Sequence, residues 1–227
     1  FALRRNFTAV FHSEVLRWYT LITLGATGLI FANLGVIGGQ AFSFGTFTAA
    51  LFRVVTVATT TGFAIHDFAL WPILAPMVLF ALMISGACAG STAGGVKTVR
   101  MVLLMKNLRR EVHRIIHPRV VQPIRLDRER VEESTLSGVS LFFYAYILLT
   151  MVGAVVVAWD NVGFVESISA SLTCIGNVGP ALGALGPNGN LGGLSALSKL
   201  VLSANMLLGR LEIMPLLVLL FPSMWRK

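Results

Sequence analysis

Two short runs, Thr59-Thr60-Thr61-Gly62-Phe63 and Ile175-Gly176-Asn177-Val178-Gly179, carry residue types suited to holding a dehydrated cation. Neither contains an acidic side chain, so the ligands must be main-chain carbonyl oxygens, with glycine where the backbone takes conformations a side chain forbids. Carbonyls of this kind replace a hydration shell, and without carboxylates they favour a monovalent cation over calcium. A third run, Gly86-Ala87-Cys88-Ala89-Gly90-Ser91-Thr92-Ala93-Gly94-Gly95, has four glycines in ten positions and argues against an unbroken helix. Its plainer reading is a close-packing face of small residues between helices. Arg210 stands in an apolar segment where a guanidinium is costly and must face protein or water. Hydrogen bonds from Arg210 to carbonyls of residues 89–92 would hold the third run across a pore. An internal salt bridge serving packing alone is the alternative.

The elements that must position these groups are membrane-spanning. The 227 residues are 56% apolar and 12% charged, with a mean hydropathy of +0.79. Uncharged stretches cover residues 18–52, 68–96 and 134–159, each longer than the roughly 20 residues a span needs. Soluble secreted, nucleic-acid-binding and disordered classes are excluded. Of the 18 Lys and Arg, 10 lie in residues 97–130, the mark of a cytoplasmic loop. Arg4, Arg5 and Arg17 at one end and Arg226 and Lys227 at the other place both termini in the cytoplasm, which calls for an even number of crossings, four in all. Cys88 and Cys174 form no metal-binding spacing, and the opening Phe1 suggests a piece of a longer chain.

Along the chain the order is a span over 18–38, a dip into the membrane over 41–65, and a third apolar segment, 68–96, that continues as a basic amphipathic helix toward His113. A linker follows, with Pro118 and Pro123. Residues 136–159 form the next span, and Asp160-Asn161 are placed to cap a short helix over about 163–173. The stretch from Ile175 to Pro180 reads as too rich in Gly, Asn and Pro to be helical, and a last span covers 194–221. Gly45 precedes Gly62 by 17 residues and Gly163 precedes Gly179 by 16, so the unit is duplicated. An even number of crossings gives both copies the same orientation, and their short helices aim negative C-terminal ends at a common centre. Non-helical backbone at that depth requires a cavity or pore.

The runs TTTGF at 59–63, GACAGSTAGGVKTVR at 86–100, CIGNVGPALG at 174–183 and LLGRLE at 207–212 resemble the potassium-uptake family of Trk and Ktr membrane subunits and their plant HKT relatives. The resemblance covers nearly the whole chain. It implies an all-α membrane protein made of two tandem helix–pore-helix–filter-loop–helix units of potassium-channel type, the third and fourth of four. The second helix of the first unit would be broken in mid-membrane. Residues 1–117 would be the third repeat with its gating loop at 86–95, residues 118–135 a cytoplasmic linker, and residues 136–227 the fourth repeat. It implies a selectivity filter of Thr60, Thr61, Gly62, Phe63, Ile175, Gly176, Asn177, Val178 and Gly179, with potassium at the carbonyls of Thr60, Thr61, Gly62, Asn177, Val178 and Gly179. The gate would comprise Gly86, Ala89, Gly90, Ser91, Thr92, Gly94, Gly95 and Arg210.

The resemblance further implies potassium uptake across a bacterial inner membrane, no cofactor, a homodimer, and a cytoplasmic nucleotide-binding regulatory subunit. Arg53 in the first short helix and Ala181 depart from the family pattern, and Asn177 replaces a hydroxyl residue. Lys97 and Arg100 are expected to reach for lipid headgroups, and His66 and Asp67 to lie near an outer mouth. A sodium- or potassium-coupled carrier and a non-conducting assembly subunit remain alternatives. An enzyme is disfavoured, because the sequence has no HExxH, no GxSxG and no pair of intramembrane aspartates.

Overall fold

The computed structural model describes residues 13–64, 71–88, 90–91, 93–117, 120, 122–127, 129–186 and 189–220. Two long helices, α1 (Glu14–Val36) and α5 (Glu133–Ala158), each open one unit. Their 23 and 26 residues span about 35 and 39 Å, more than the roughly 30 Å of a bilayer's hydrocarbon core. Both are apolar nearly all round, and Leu21, Leu24 and Leu29 on α1 and Leu141, Leu148 and Val155 on α5 remain exposed, as lipid-facing side chains would be.

A short helix follows each: α2 (Phe44–Ala58) and α6 (Phe164–Gly176). Ser43 starts α2 by accepting a hydrogen bond from Thr46 N–H at 3.2 Å. Asp160-Asn161 do not cap α6. Gly163 occupies that position, and Asp160 accepts instead from Ser195 N–H at 2.9 Å, tying the end of α5 to the start of α7 (Ala196–Arg210). The expected boundary of α6 is also corrected. The helix continues through Ile175 and Gly176, because every position from 169 to 176 is buried against neighbouring elements and the break comes only at Asn177, which takes φ 51°.

The third expected span is indeed broken. Helix α3 (Leu74–Ile84) has 11 residues, about 17 Å, and cannot cross alone. Strand β1 (Ser85–Gly86) pairs in parallel with β2 (Val96–Lys97), pinching off the loop between them, and the basic helix α4 (Thr98–Ile116) leaves from that pinch. After the β3–β4 ribbon (Arg125–Leu126 with Glu129–Arg130) comes the second unit. Its last segment is not one continuous span, as the sequence suggested. Helix α7 stops at Arg210, Glu212 takes φ 56°, and α8 (Ile213–Leu220) resumes beyond it. Both units therefore end in interrupted helices.

One core joins the units. Ile30 and Leu34 of α1, Val54 and Val57 of α2, and Leu79 and Met83 of α3 are buried in the same cluster as Tyr146 of α5, Ile175 of α6 and Ile213 of α8. This burial of apolar side chains from both copies fixes the two loops that follow α2 and α6 against each other.

Candidate functional site

Helices α2 and α6 end in the same device. After α2, Thr60 N–H donates to Val57 O (3.1 Å) and Thr61 N–H to Thr56 O (2.9 Å). After α6, Asn177 N–H donates to Cys174 O (3.2 Å) and Val178 N–H to Thr173 O (3.0 Å). With Thr60 at φ 53° and Asn177 at φ 51°, each is a Schellman motif, in which one left-handed residue reverses the chain and satisfies two terminal carbonyls. The chain then runs on as loop, carrying Thr61, Gly62 and Phe63 in one unit and Val178 and Gly179 in the other.

These loops meet at their glycines. A Cβ on Gly62 (φ 81°) would lie 2.7 Å from Val178 O, and one on Gly179 (φ 117°) would lie 3.2 Å from Gly62 Cα. Only glycine satisfies both the conformation and the approach. Beside them opens a cavity of about 300 Å³, lined by Gly62, Ala64, Thr173, Gly179 and Pro180. Thr173, which sequence reasoning passed over, steadies this side: its hydroxyl accepts from Gly179 N–H (3.1 Å) and donates to Pro180 O (3.2 Å). In the first unit the hydroxyls of Thr59 and Thr61 are joined at 2.6 Å. Phe63 is exposed.

The glycine-rich loop of the first unit reaches the base of this site. A Cβ on Gly94 would stand 2.5 Å from Gly176 O, and one on Gly209 of α7 would strike Ile175 O; both would lie 3.0 Å from Asn177 Nδ2. Ile175 and Gly176 are thus helical residues whose carbonyls are covered by two glycines from different elements. Gly209 was also missed by sequence reasoning, although it adjoins Arg210 in the LLGRLE run. Asn177 reaches α7 as well, its Nδ2 donating to Met206 O at 3.3 Å.

At the other end of the loop, Gly86 is packed on Gly94 O, where a Cβ would collide, and Thr98 donates its hydroxyl to Gly86 O (3.1 Å) and its N–H to Ala87 O (3.2 Å). Gly90 and Gly95 take φ 83° and 75°, and Ser91 Oγ accepts from Ala93 N–H at 3.0 Å. Ala89 and Thr92 lie outside the described residues, as do His66, Asp67, Arg4, Arg5, Arg226 and Lys227. Arg210 closes the last turn of α7 with an exposed side chain. Lys97 and Arg100 do not simply reach outward. Lys97 pairs with Glu212 at 2.6 Å, and Arg100 pairs with it at 2.8 Å while lying 4.0 Å over the ring of Phe142. Arg53 is buried in α2.

A duplicated helical architecture with long apolar helices, and with non-helical loops converging at its centre, defines a membrane protein of the transport class. The family model described as a cation transport protein, TrkH, matches residues 1–227, and the chain belongs to that family, one of transporters rather than enzymes. It is similar to the Trk system potassium uptake protein TrkH of Halomonas elongata, 41% identical over 78% of this chain and 36% of the relative. It is likewise similar to the Trk system potassium uptake protein TrkH of Escherichia coli K12, at 35% identity over 92% of this chain and 42% of the relative. The crystal structure of the potassium transporter TrkH from Vibrio parahaemolyticus superposes with a TM-score of 0.86 at 33% identity, covering 95% of this chain and 46% of that one. The chain thus spans less than half the length of these relatives.

Proposed function

We propose that this chain supplies half of a channel-like pore that takes potassium across the bacterial inner membrane. The carbonyls of Thr60, Thr61, Gly62, Asn177, Val178 and Gly179 hold the dehydrated ion. The observation that carries the proposal is the contact of Gly62 with Val178 and Gly179, which brings two equivalent loops together at the negative ends of two short helices. The two α2- and α6-type helices act as pore helices, and two further units in the rest of the protein complete the ring. Potassium is favoured by the names of the relatives, and a monovalent cation over calcium by the absence of carboxylates from the loops.

The loop at residues 86–95 is the gate below that filter, held against the end of α6 through Gly94, with Arg210 opposing a cation that pauses there. Both ends of this segment lie in the cytoplasm, and a homodimer served by a cytoplasmic nucleotide-binding subunit is the assembly the family resemblance supports. In the full-length protein reconstituted into liposomes, Gly179→Ser is expected to lower potassium-over-sodium preference in flux assays, since φ 117° and the neighbouring Gly62 exclude a side chain. Unchanged selectivity with normal insertion contradicts the filter assignment.

A further inference from the structure

An open cavity of about 380 Å³ lies at the far end of the basic helix, away from the two loops, lined in part by Lys106, Arg109, Arg110, His113, Pro123 and Arg125. Two of these cations are already engaged. Lys106 pairs with Glu14 at 2.6 Å and donates to Arg125 O, and Arg110 pairs with Glu133 at 2.5 Å and with Glu111 at 3.3 Å. Asp127 accepts from Glu14 N–H. The side chains of Arg109, His113 and Arg125 have no salt bridge among the described residues, and the two arginines are exposed. The lining therefore presents two guanidinium forks, suited to bidentate recognition of an oxyanion, around a space large enough for a phosphate ester.

We infer that this cavity binds a phosphate oxyanion, supplied by the headgroup of an anionic phospholipid in the cytoplasmic leaflet. The source follows from the helix that carries the basic groups. Met105, Leu108 and Val112 are exposed and immediately precede Lys106, Arg109 and His113, so an apolar stripe runs directly beside the basic lining, and Ile115 and Ile116 extend it. Such a helix lies in the membrane interface, with acyl chains along the stripe and the phosphate in the cavity. A soluble phosphate would use the cavity but gain nothing from the stripe. The inference rests on the cytoplasmic placement of this segment proposed above, but it concerns a site remote from the ion path.

The test is native mass spectrometry of the full-length protein titrated with phosphatidylglycerol, phosphatidylcholine or inorganic phosphate, a readout independent of ion flux. Phosphatidylglycerol is expected to be retained over phosphatidylcholine. The double variant R109Q/R125Q should weaken that retention about thirtyfold, two interfacial cations having been removed. R109K/R125K should keep most of it, and R114Q, outside the lining, should leave it unchanged. Displacement of the lipid by equimolar inorganic phosphate keeps the oxyanion site and assigns its ligand to the soluble pool. Equal retention of both lipids overturns the inference. So does full retention in R109Q/R125Q.

Discussion

Thr60 and Asn177 occupy equivalent places and share one backbone conformation, yet they differ in what that conformation costs. Asparagine is among the side chains that tolerate the left-handed region, whereas a β-branched threonine there is strained by about 1–2 kcal/mol. Thr60→Gly is therefore expected to raise the stability of the full-length protein by about 1 kcal/mol, read as a higher Tm in detergent, after the entropy of glycine is set against the relieved strain. A lower Tm would show that the threonine side chain contributes more than its backbone loses. Gly209 presents the opposite case. Its missing Cβ makes room for Ile175 O, a main-chain atom fixed by α6, so Gly209→Ala must move one helix against the other. A loss of about 1–3 kcal/mol is expected in thermal unfolding, together with reduced potassium flux. At Arg210, substitution by alanine is expected to raise basal flux by loosening the gate, and flux at or below the wild-type level with normal insertion contradicts that role.

At the scale of elements, the interrupted helices are the informative feature. The break after α3 was legible because four glycines fall within residues 86–95, each a poor helix former. The break after α7 was not, because Leu211 and Glu212 have ordinary helix propensity. Its cause is tertiary: Glu212 turns toward Lys97 and Arg100, across the chain, and takes a left-handed conformation to do so. For the same reason the fate of Lys97 and Arg100 was not readable from composition. Glu212 thereby clasps the base of the glycine-rich loop to the last helix. Glu212→Gln is expected to cost about 1–2 kcal/mol, and a double-mutant cycle with Lys97→Met in thermal unfolding should show coupling between the two positions. Additive effects would remove the clasp. Asp160 plays a comparable part at the opposite ends of α5 and α7. The Ser198 hydroxyl, and after it the Ser195 N–H, hold its carboxyl below the usual carboxylate range. A lowered value in the folded state means a contribution that is complete above about pH 4 and fades as pH falls through the folded value. The Tm difference between wild type and Asp160→Asn should accordingly shrink on acidification below pH 4, and a constant difference would contradict the linkage.

For the whole molecule, the duplicated order of long helix, short helix, loop and second helix was readable from apolar runs and from the near-constant spacing of Gly45 to Gly62 and Gly163 to Gly179. The convergence of Gly62 on Gly179 was anticipated only as a consequence of that duplication. What spacing did not reveal was the reach of α6 through Gly176, since glycine and isoleucine there are packed beneath Gly94 and Gly209 rather than free in a loop. The two units are joined by one apolar core, so the meeting of the loops is a property of the assembled pair and not of either copy. The central claim is that main-chain oxygens flanking that meeting point hold an alkali cation. The most direct measurement is anomalous diffraction from crystals of the full-length protein soaked in rubidium. Rubidium density is expected within coordination distance of the carbonyls of residues 60–62 and 177–179. Ordered rubidium elsewhere in the membrane region, with none beside these carbonyls, would contradict it.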